Sequence, residues 1–396
     1  MTININRYKQ FFTPEKYSQV LVERIDLTKK PKKIIDLTMG EGSLLKEGLK
    51  VWNEAKFFGN DIDKECCNKV KNIIPHIKCF NKDIFINSDM NFLIKHIGKV
   101  DICLGNPPFY LINQTNDSIE LLKLYSLEKY YKSTHIPAEV LFILQTLKIL
   151  KKNGILSVIL PDGFFVNNTL TEFRKFLIRK YKILEIIELP NEIFKYTKAK
   201  THILILQNTS PISNIIKLSH IHNNDIINIT IEEAYNRMDY SFYRDNHLDF
   251  TYKKLSDCED IKVFRGKQKF LLRDVDESWI LHTTSFRNGN IFKSTLSTTS
   301  KIKQYSNRIA YQDDIIIPRV GTNILGKVGI VKSGYFVATD CVFVIRTKDI
   351  KDRENILYTL KSEFGRDWIK SISKGVGARH ITLQDIANLP ILEKEI

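Results

Sequence analysis

Val100-Asp101-Ile102-Cys103-Leu104-Gly105-Asn106-Pro107-Pro108-Phe109 decides how the rest of the chain is read. Its first half is a short apolar run of the kind that forms a buried strand. Pro107 and Pro108 end that strand, because neither can donate to a sheet ladder and Pro108 forces Pro107 into an extended shape. What remains is a stiff corner at the carboxyl end of a strand. It presents the Asn106 amide, the Pro107 carbonyl and the Phe109 ring in fixed relative positions. Such a corner suits a planar heterocycle held by stacking while two acceptors grip its exocyclic amine. The same residues also make a plain turn, and only their context separates the two.

About seventy residues upstream lies Lys33-Ile34-Ile35-Asp36-Leu37-Thr38-Met39-Gly40-Glu41-Gly42-Ser43-Leu44-Leu45. A short apolar strand ends in an acid, and a loop with glycine at alternate positions opens a helix. Glycines there let the backbone approach a ligand, and the helix start offers free N–H groups. The loop is neither a Walker motif nor a full Gly-x-Gly-x-x-Gly, since Lys46 fails the spacing. A ligand held by acids is favoured over a pyrophosphate. The next strand, Ala55 to Asn60, ends at Asp61-Ile62-Asp63, and an acid about twenty residues past the glycine loop is where α/β nucleotide folds grip a ribose diol. Ile77 to Phe80 ends just before Asp83. Four strand ends therefore carry Asp36, Asp61, Asp83 and Asn106, and in an open parallel sheet the ligand crevice lies outside those ends.

In this order the motifs resemble the S-adenosylmethionine-dependent amino-methyltransferases of the N6-adenine DNA class, with the glycine motif first and target recognition last. Phe12-Thr13-Pro14 resembles the family's N-terminal cofactor motif, and Asp36-x-x-x-Gly40-x-Gly42 its glycine motif, with Leu37, Thr38 and Met39 in place of the usual Pro-Ala-Cys. Asp61 stands where Glu is usual in the ribose-binding segment, Asp83 matches the acid on the cofactor adenine, and Asn106 to Phe109 matches Asn-Pro-Pro-Tyr/Phe. The resemblance spans roughly the first 210 residues. It implies an α/β fold: a doubly wound, mostly parallel, Rossmann-like methyltransferase sheet whose last strand is antiparallel. It also implies that Thr13, Pro14, Asp36, Gly40, Gly42, Asp61 and Asp83 bind S-adenosylmethionine, and that Asn106, Pro107, Pro108 and Phe109 form the catalytic corner.

An adenine amine is a poor nucleophile because its lone pair is delocalised into the ring. Acceptors on its two N–H bonds, from Asn106 and Pro107, let the nitrogen pyramidalise and become most useful as positive charge develops on it. Phe109 lacks a hydroxyl, so it offers stacking alone. No Pro-Cys dipeptide occurs, which leaves no nucleophile for cytosine C5 chemistry. A base inside a duplex must be flipped out, at about a few kcal/mol.

The chain carries 60 Lys+Arg against 45 Asp+Glu, a net charge of +15, which favours a polyanionic partner. Its 396 residues and 43% hydrophobic content predict two globular domains. No apolar run reaches a membrane span, the polar start is unlike a signal peptide, and Cys66, Cys67, Cys79, Cys103, Cys258 and Cys341 lack Cys-x-x-Cys spacing. A cytoplasmic protein with reduced thiols and no metal site is expected.

Residues 111–134 are polar and Tyr/Lys-rich, fitting a flap beside the target pocket or a surface loop with a short helix. A helix is predicted over Pro137–Lys151 with Asn153-Gly154 as its stop, then a strand over 155–160, a helix over 169–180, a strand over 183–189, and Thr201–Gln207 as the last, antiparallel strand. Phe194 and Tyr196 lie where this family places an aromatic near the flipped base. The expected division is a catalytic domain over 1–210, a connector over 211–245 and an α+β target-recognition domain over 246–396. Between Lys262 and Lys332 thirteen Lys/Arg face five acids, with Phe264, Phe270, Trp279 and Phe286 interleaved. Asp313 to Thr322, Ala338-Thr339-Asp340, Gly375 to His380 and Leu389-Pro390 loosely resemble target-recognition domains of restriction specificity subunits. Arg265, Lys267, Lys269, Arg287, Arg319 and Arg379 are the expected DNA contacts.

The expectation is a monomeric, site-specific DNA adenine-N6 methyltransferase on double-stranded DNA. With no segment left for a nuclease, any restriction endonuclease would be separately encoded. The same corner would also serve a methyltransferase for protein glutamine or for structured RNA, neither of which needs a basic C-terminal domain of about 150 residues. N4-cytosine chemistry more often has Ser in place of Asn106, and a non-enzymatic specificity module would not need Asn106 and Asp36 intact.

Overall fold

The apolar runs read above between residues 33 and 105 are all strands in the computed structural model, which describes residues 13–190, 200–211, 213–245, 253–287, 290–294, 303–321, 323–374 and 379–393. The chain divides into two units, Met1–Tyr240 and Ser241–Ile396. Phe12, Phe194, Tyr196, Thr322 and residues 375–378 lie outside the described residues.

The first unit begins with α1 (Glu15–Glu23), β1 (Lys33–Asp36), α2 (Ser43–Val51), β2 (Lys56–Asp61), α3 (Lys64–Ile73), β3 (Ile77–Asn81), α4 (Asn87–Ile97) and β4 (Val100–Gly105). It continues with β5 (Leu111–Asn113), α5 (Asn116–Leu124), β6 (His135–Pro137), α6 (Ala138–Ile149), β7 (Leu150–Pro161), α7 (Asp162–Val166), α8 (Thr171–Lys180) and β8 (Lys182–Glu188). It closes with β9 (Thr201–Gln207), β10 (Ile215–His220), β11 (Asn223–Thr230) and α9 (Ile231–Asn236). Among the described residues nine strands form one sheet in the order β11-β10-β8-β9-β7-β4-β1-β2-β3. Strands β3, β2, β1, β4 and β7 pair in parallel, whereas β9 is antiparallel to both β7 and β8. Strand order reverses at β1, so β4 and β2 flank it, and such a switch point opens a crevice at the carboxyl ends.

Two expectations need correction. Strand β9 is antiparallel but not the last: residues 211–245 do not form a connector. They add β10, parallel to β8, and β11, antiparallel to β10. The pairs Ile216–Ile229 and Leu218–Ile227 are buried across that ladder, which fixes its register. Asn153-Gly154 does not stop a helix. Helix α6 ends at Ile149 and β7 starts at Leu150, with Asn153 at φ 63° where the β4–β7 register slips. Of the two readings of residues 111–134, the structure agrees with the one that holds a short helix, α5, and adds a strand pair beside it. β5 pairs with β6, and the α5 start is closed by a reciprocal Thr115/Ser118 capping box.

In the second unit the described strands are β12 (Lys262–Arg265), β13 (Ile280–Leu281), β14 (Ile291–Lys293), β15 (Ile309–Ala310), β16 (Ile315–Pro318), β17 (Gly329–Ser333), β18 (Phe336–Ala338) and β19 (Val342–Arg346). They form a five-stranded sheet, β12-β19-β16-β17-β14, and a three-stranded one, β13-β18-β15. Helices α10 (Ile350–Lys361), α11 (Glu363–Ile372) and α12 (Leu383–Ala387) follow. The larger sheet is buried on both faces. Ile315, Ile317, Phe343 and Ile345 join Trp368 and Ile369 in one cluster, while Ile316, Val342 and Val344 join Phe292 and Phe336 in another. Among the described residues no helix is long and apolar enough to cross a membrane, and no three His, Cys, Asp or Glu side chains gather as a metal site.

Candidate active site

Because β4, β1, β2 and β3 are neighbours, the residues at or just past their ends fall in one row along the carboxyl edge of the sheet. A cavity of about 520 Å³ opens there, with Thr38, Gly40, Asp61, Asp83, Asn106 and Tyr110 among its lining residues. Asp36 lies behind that wall. It is buried, and its Oδ1 accepts a 2.9 Å bond from the Thr38 amide, which bends the chain into the glycine loop. Burial pushes its carboxyl up to about 8, with the charge of Asp61 adding to the shift.

Gly40 and Gly42 take left-handed conformations, φ 51° and 78°, that side-chain-bearing residues rarely adopt. Gly40 lines the cavity, while Gly42 caps the start of α2. The Gly40 amide donates to Asp61 Oδ2 at 2.8 Å, and Asp61 Oδ1 accepts from the Asp63 amide at 2.9 Å. Asp61 thus ties the loop to β2 while facing the cavity, and burial holds its pKa above the ordinary value. Met39, one of the departures from the family pattern, fits because it lies over Gly59, where a Cβ would come 2.2 Å from the Met39 sulfur.

Sequence reasoning missed Asn60. Its Nδ2 donates to the carbonyls of Leu37 at 3.1 Å and Lys82 at 3.0 Å, joining the ends of three strands. Thr38 Oγ1 and Asn60 Oδ1 are buried polar atoms with no partner among the described residues, and both side chains line the cavity. Asp83 Oδ1 accepts from the Phe85 amide at 2.9 Å. Ile62 and Ile86 line the same space and are 47% and 43% exposed, apolar surface that a flat ring in the cavity would cover. Carboxylates for hydroxyl and amine donors, apolar walls for a ring, and unsatisfied oxygens beside the glycine loop together fit a nucleoside with a polar tail.

At the corner, Asn106, Pro107 and Pro108 line the cavity. Asn106 Nδ2 donates to Thr13 Oγ1 at 3.0 Å, which fixes which way round the amide sits. Thr13 therefore meets the corner, and Pro14 starts α1 by accepting from Tyr17 and Ser18; neither residue lines the cavity. Phe109 is half-buried against the core of the first unit and does not line the cavity either. Gly105 is required beneath the corner, since a Cβ there would lie 2.4 Å from the Phe142 ring. Ile112, Thr115, Asp117 and Ser118 supply the far wall, and Asp117 is pinned by the Asn87 amide at 2.8 Å.

Further along the same edge a charged brace joins the ends of β7, β8 and β9. Lys200 Nζ is 3.0 Å from Glu188 Oε1 and 3.7 Å from both Asp162 Oδ1 and Asp239 Oδ2. His202 Nε2 lies 2.9 Å from Asp162 Oδ1. Burial alone would raise the Asp162 carboxyl, but Lys200 and His202 hold it well below the usual range.

In the second unit, the expected DNA contacts divide. Arg265, Lys267, Lys269 and Arg287 are exposed, whereas Arg319 and Arg379 are half-buried. Arg319 Nε donates to the Asp340 carbonyl at 2.6 Å, and the Asp340 amide donates to the Lys267 carbonyl at 2.8 Å, so both basic residues flank one turn. The Arg379 carbonyl accepts from Gly321, which places it at the same edge. Arg308 Nη1 reaches the Arg265 carbonyl at 2.6 Å, adding a cation that the sequence reading did not single out. Lys269 is paired with Glu277 at 3.0 Å.

Comparison with known proteins adds three findings. The model of the family described as N-6 DNA Methylase matches residues 4–264. The chain is 26% identical over 220 residues to the type I restriction enzyme MpnII methylase subunit of Mycoplasma pneumoniae, covering 50% of this chain and 40% of that one. It is 34% identical over 93 residues to the type II methyltransferase M.BstVI of Geobacillus stearothermophilus, covering 23% of this chain and 16% of that one. The chain thus spans well under half the length of these relatives. Among solved structures, the type IIG restriction endonuclease BpuSI shares the fold over 98% of this chain and 59% of its own, at TM-score 0.53 and 14% identity.

Proposed function

The chain belongs to the N-6 DNA methylase family, and from that premise we propose that it methylates the N6 amine of an adenine flipped out of duplex DNA. One observation carries the reading: Asn106 and Pro107 stand at the end of β4 on the wall of a cavity that also holds Asp61 and Asp83. Gly40, Thr38, Asn60, Asp61, Ile62 and Asp83 are the residues that would hold S-adenosylmethionine. When bound, that cofactor supplies an electrophilic sulfonium methyl group.

The protein's part is positioning and electrostatics. Asn106 Oδ1 and the Pro107 carbonyl accept the two N–H bonds of the target amine, drawing its lone pair out of ring conjugation. Both acceptors gain strength as the nitrogen turns cationic, so they bind the transition state better than the ground state. Thr13 keeps the amide from turning its NH2 toward the amine. The proline pair makes the corner rigid before substrate arrives, which lowers the reorganisation needed at the moment of reaction. Extruding the base costs about a few kcal/mol, and the exposed Arg265, Lys267, Lys269 and Arg287 supply phosphate contacts that offset it. Relatives named as restriction-modification methylases favour a role in such a system, with a specificity or endonuclease subunit as partner.

The test is transfer of labelled methyl groups to duplex DNA, with the modified base identified after digestion. N6-methyladenine is the expected product. Asn106→Ala should cut transfer about 100-fold or more while duplex affinity stays within a factor of about two. Label on cytosine, or an Asn106→Ala enzyme of full activity, would refute the assignment.

A further inference from the structure

The cavity is bounded on one side by Lys82 to Ile86, which follow β3, and on the other by Ile112, Thr115, Asp117 and Ser118. These two walls meet at Asn87. Its amide donates to Asp117 Oδ1 at 2.8 Å, and its Nδ2 donates at 3.2 Å to both the Asp117 carbonyl and Glu120 Oε2. Asn87 is the first residue of α4, so its N–H is one that the helix itself cannot satisfy. Ile86 stands at the capping position, and its side chain has no acceptor to offer. Asp89, the acid of the first turn, is held instead by Lys82 Nζ at 2.9 Å and by the Asp83 amide at 3.1 Å. The cap comes from the opposite wall, from a residue in the first turn of α5. Asp117 is itself held in place, since Thr115 and Ser118 on either side of it exchange bonds of 2.9 and 3.2 Å. The wall begins in β5, which among the described residues pairs only with β6, and a ribbon of two three-residue strands adds little stability of its own.

We propose that Asp117 is a positioning residue that latches the two walls of the cavity together by capping α4 from the facing side. This inference rests on the proposed function, since it takes the cavity to be the S-adenosylmethionine site. It adds to that reading a control on how the cofactor enters and leaves. A site that encloses most of a small ligand has to open for the ligand to pass. The bonds between Asn87 and Asp117 join protein groups to one another, so they are made whether the cavity is filled or empty. Weakening them raises the population of the open form in both states, which speeds entry and release together and leaves affinity nearly unchanged. A residue that merely gripped the ligand or shaped its wall would alter release alone, and affinity with it.

The experiment is surface plasmon resonance of S-adenosylhomocysteine on the immobilised full chain, which reads entry and release rates separately. Asp117→Ala should raise both rates about fivefold and keep Kd within a factor of about two. Asp117→Asn retains an oxygen that accepts the Asn87 amide, and both of its rates should stay within about twofold of wild type. Asn87→Ala keeps the backbone donor but loses both Nδ2 bonds, so both rates should rise about threefold. That variant decides the matter should Asp117→Ala fail to fold. Rates that do not move, or release that quickens while entry does not, overturn the assignment of Asp117 while the cofactor site stands. A wild type that binds no S-adenosylhomocysteine overturns the cofactor site itself.

Discussion

Asp36 keeps a proton at neutral pH that an exposed aspartate would have lost. Its folded-state pKa is about 8 against an ordinary 3.8, through burial and the nearby charge of Asp61. Between those values the folded chain binds a proton that the unfolded chain has released. Stability is therefore greatest below about pH 4 for this group and falls as pH rises toward 8. Asn at this position can still accept the Thr38 amide without a charge to bury. Asp36→Asn should accordingly remove this pH dependence, gaining up to about 4 kcal/mol over wild type at pH 8 and little near pH 4. Urea unfolding at pH 5 and pH 8 checks it, and equal differences at the two values would show that the buried carboxyl is not the source. At this scale the sequence was most informative about position: Asn106, Asp61 and Asp83 were read at or near strand ends, and the structure brings all three to one cavity. Asn60 was not legible, because it belongs to no spacing rule. Its role comes from which carbonyls the strand order places beside it.

The elements that sequence reading placed well are those whose apolar runs are short and cleanly ended. Strands β1 to β4 each stop at a polar residue or directly before one. Strands β10 and β11 were hidden because exposed Ile215 and Ile226 stand directly beside buried Ile216 and Ile227, which blurs the alternation of each segment. Asn153-Gly154 misled for a related reason, since the residues that cap a helix also make a bulge. The brace at the ends of β7, β8 and β9 was invisible because Lys200, Glu188, Asp162 and Asp239 are scattered in sequence and meet only in the sheet. Burial alone would lower the Lys200 pKa, but the three carboxylates hold it above the ordinary value. Lys200→Met would leave them without their shared cation in a largely buried site. It should destabilise the protein by about 3 kcal/mol at neutral pH, and by less in acid as the carboxylates gain protons. A urea midpoint that does not move would mean that solvent already screens the cluster.

The whole molecule joins an acid-lined cavity in one unit to a basic, aromatic-interleaved stretch in the other, with net charge +15 over the chain. Net charge alone does not say where a polyanion binds. Lys-rich composition spreads cations over both units, and many are already paired, as Lys50 is with Glu15 and Glu47. Arg265 and Lys267 are better candidates because both are exposed beside a turn that also carries Arg319. Each cation that neutralises a phosphate releases counterions, so its contribution appears in the salt dependence of affinity more clearly than in affinity at one ionic strength. Changing Arg265 and Lys267 to Ala together should lower the slope of log affinity against log salt by up to about 2 for duplex DNA. The loss should be similar for unrelated duplex sequences, since phosphate contacts position a protein without reading bases. S-adenosylhomocysteine affinity should stay at the wild-type value, because these residues lie outside the cavity. Fluorescence anisotropy of a labelled duplex across a salt series measures the slope directly. If the slope stays at its wild-type value, the duplex does not touch this turn and its phosphates must be met elsewhere on the chain.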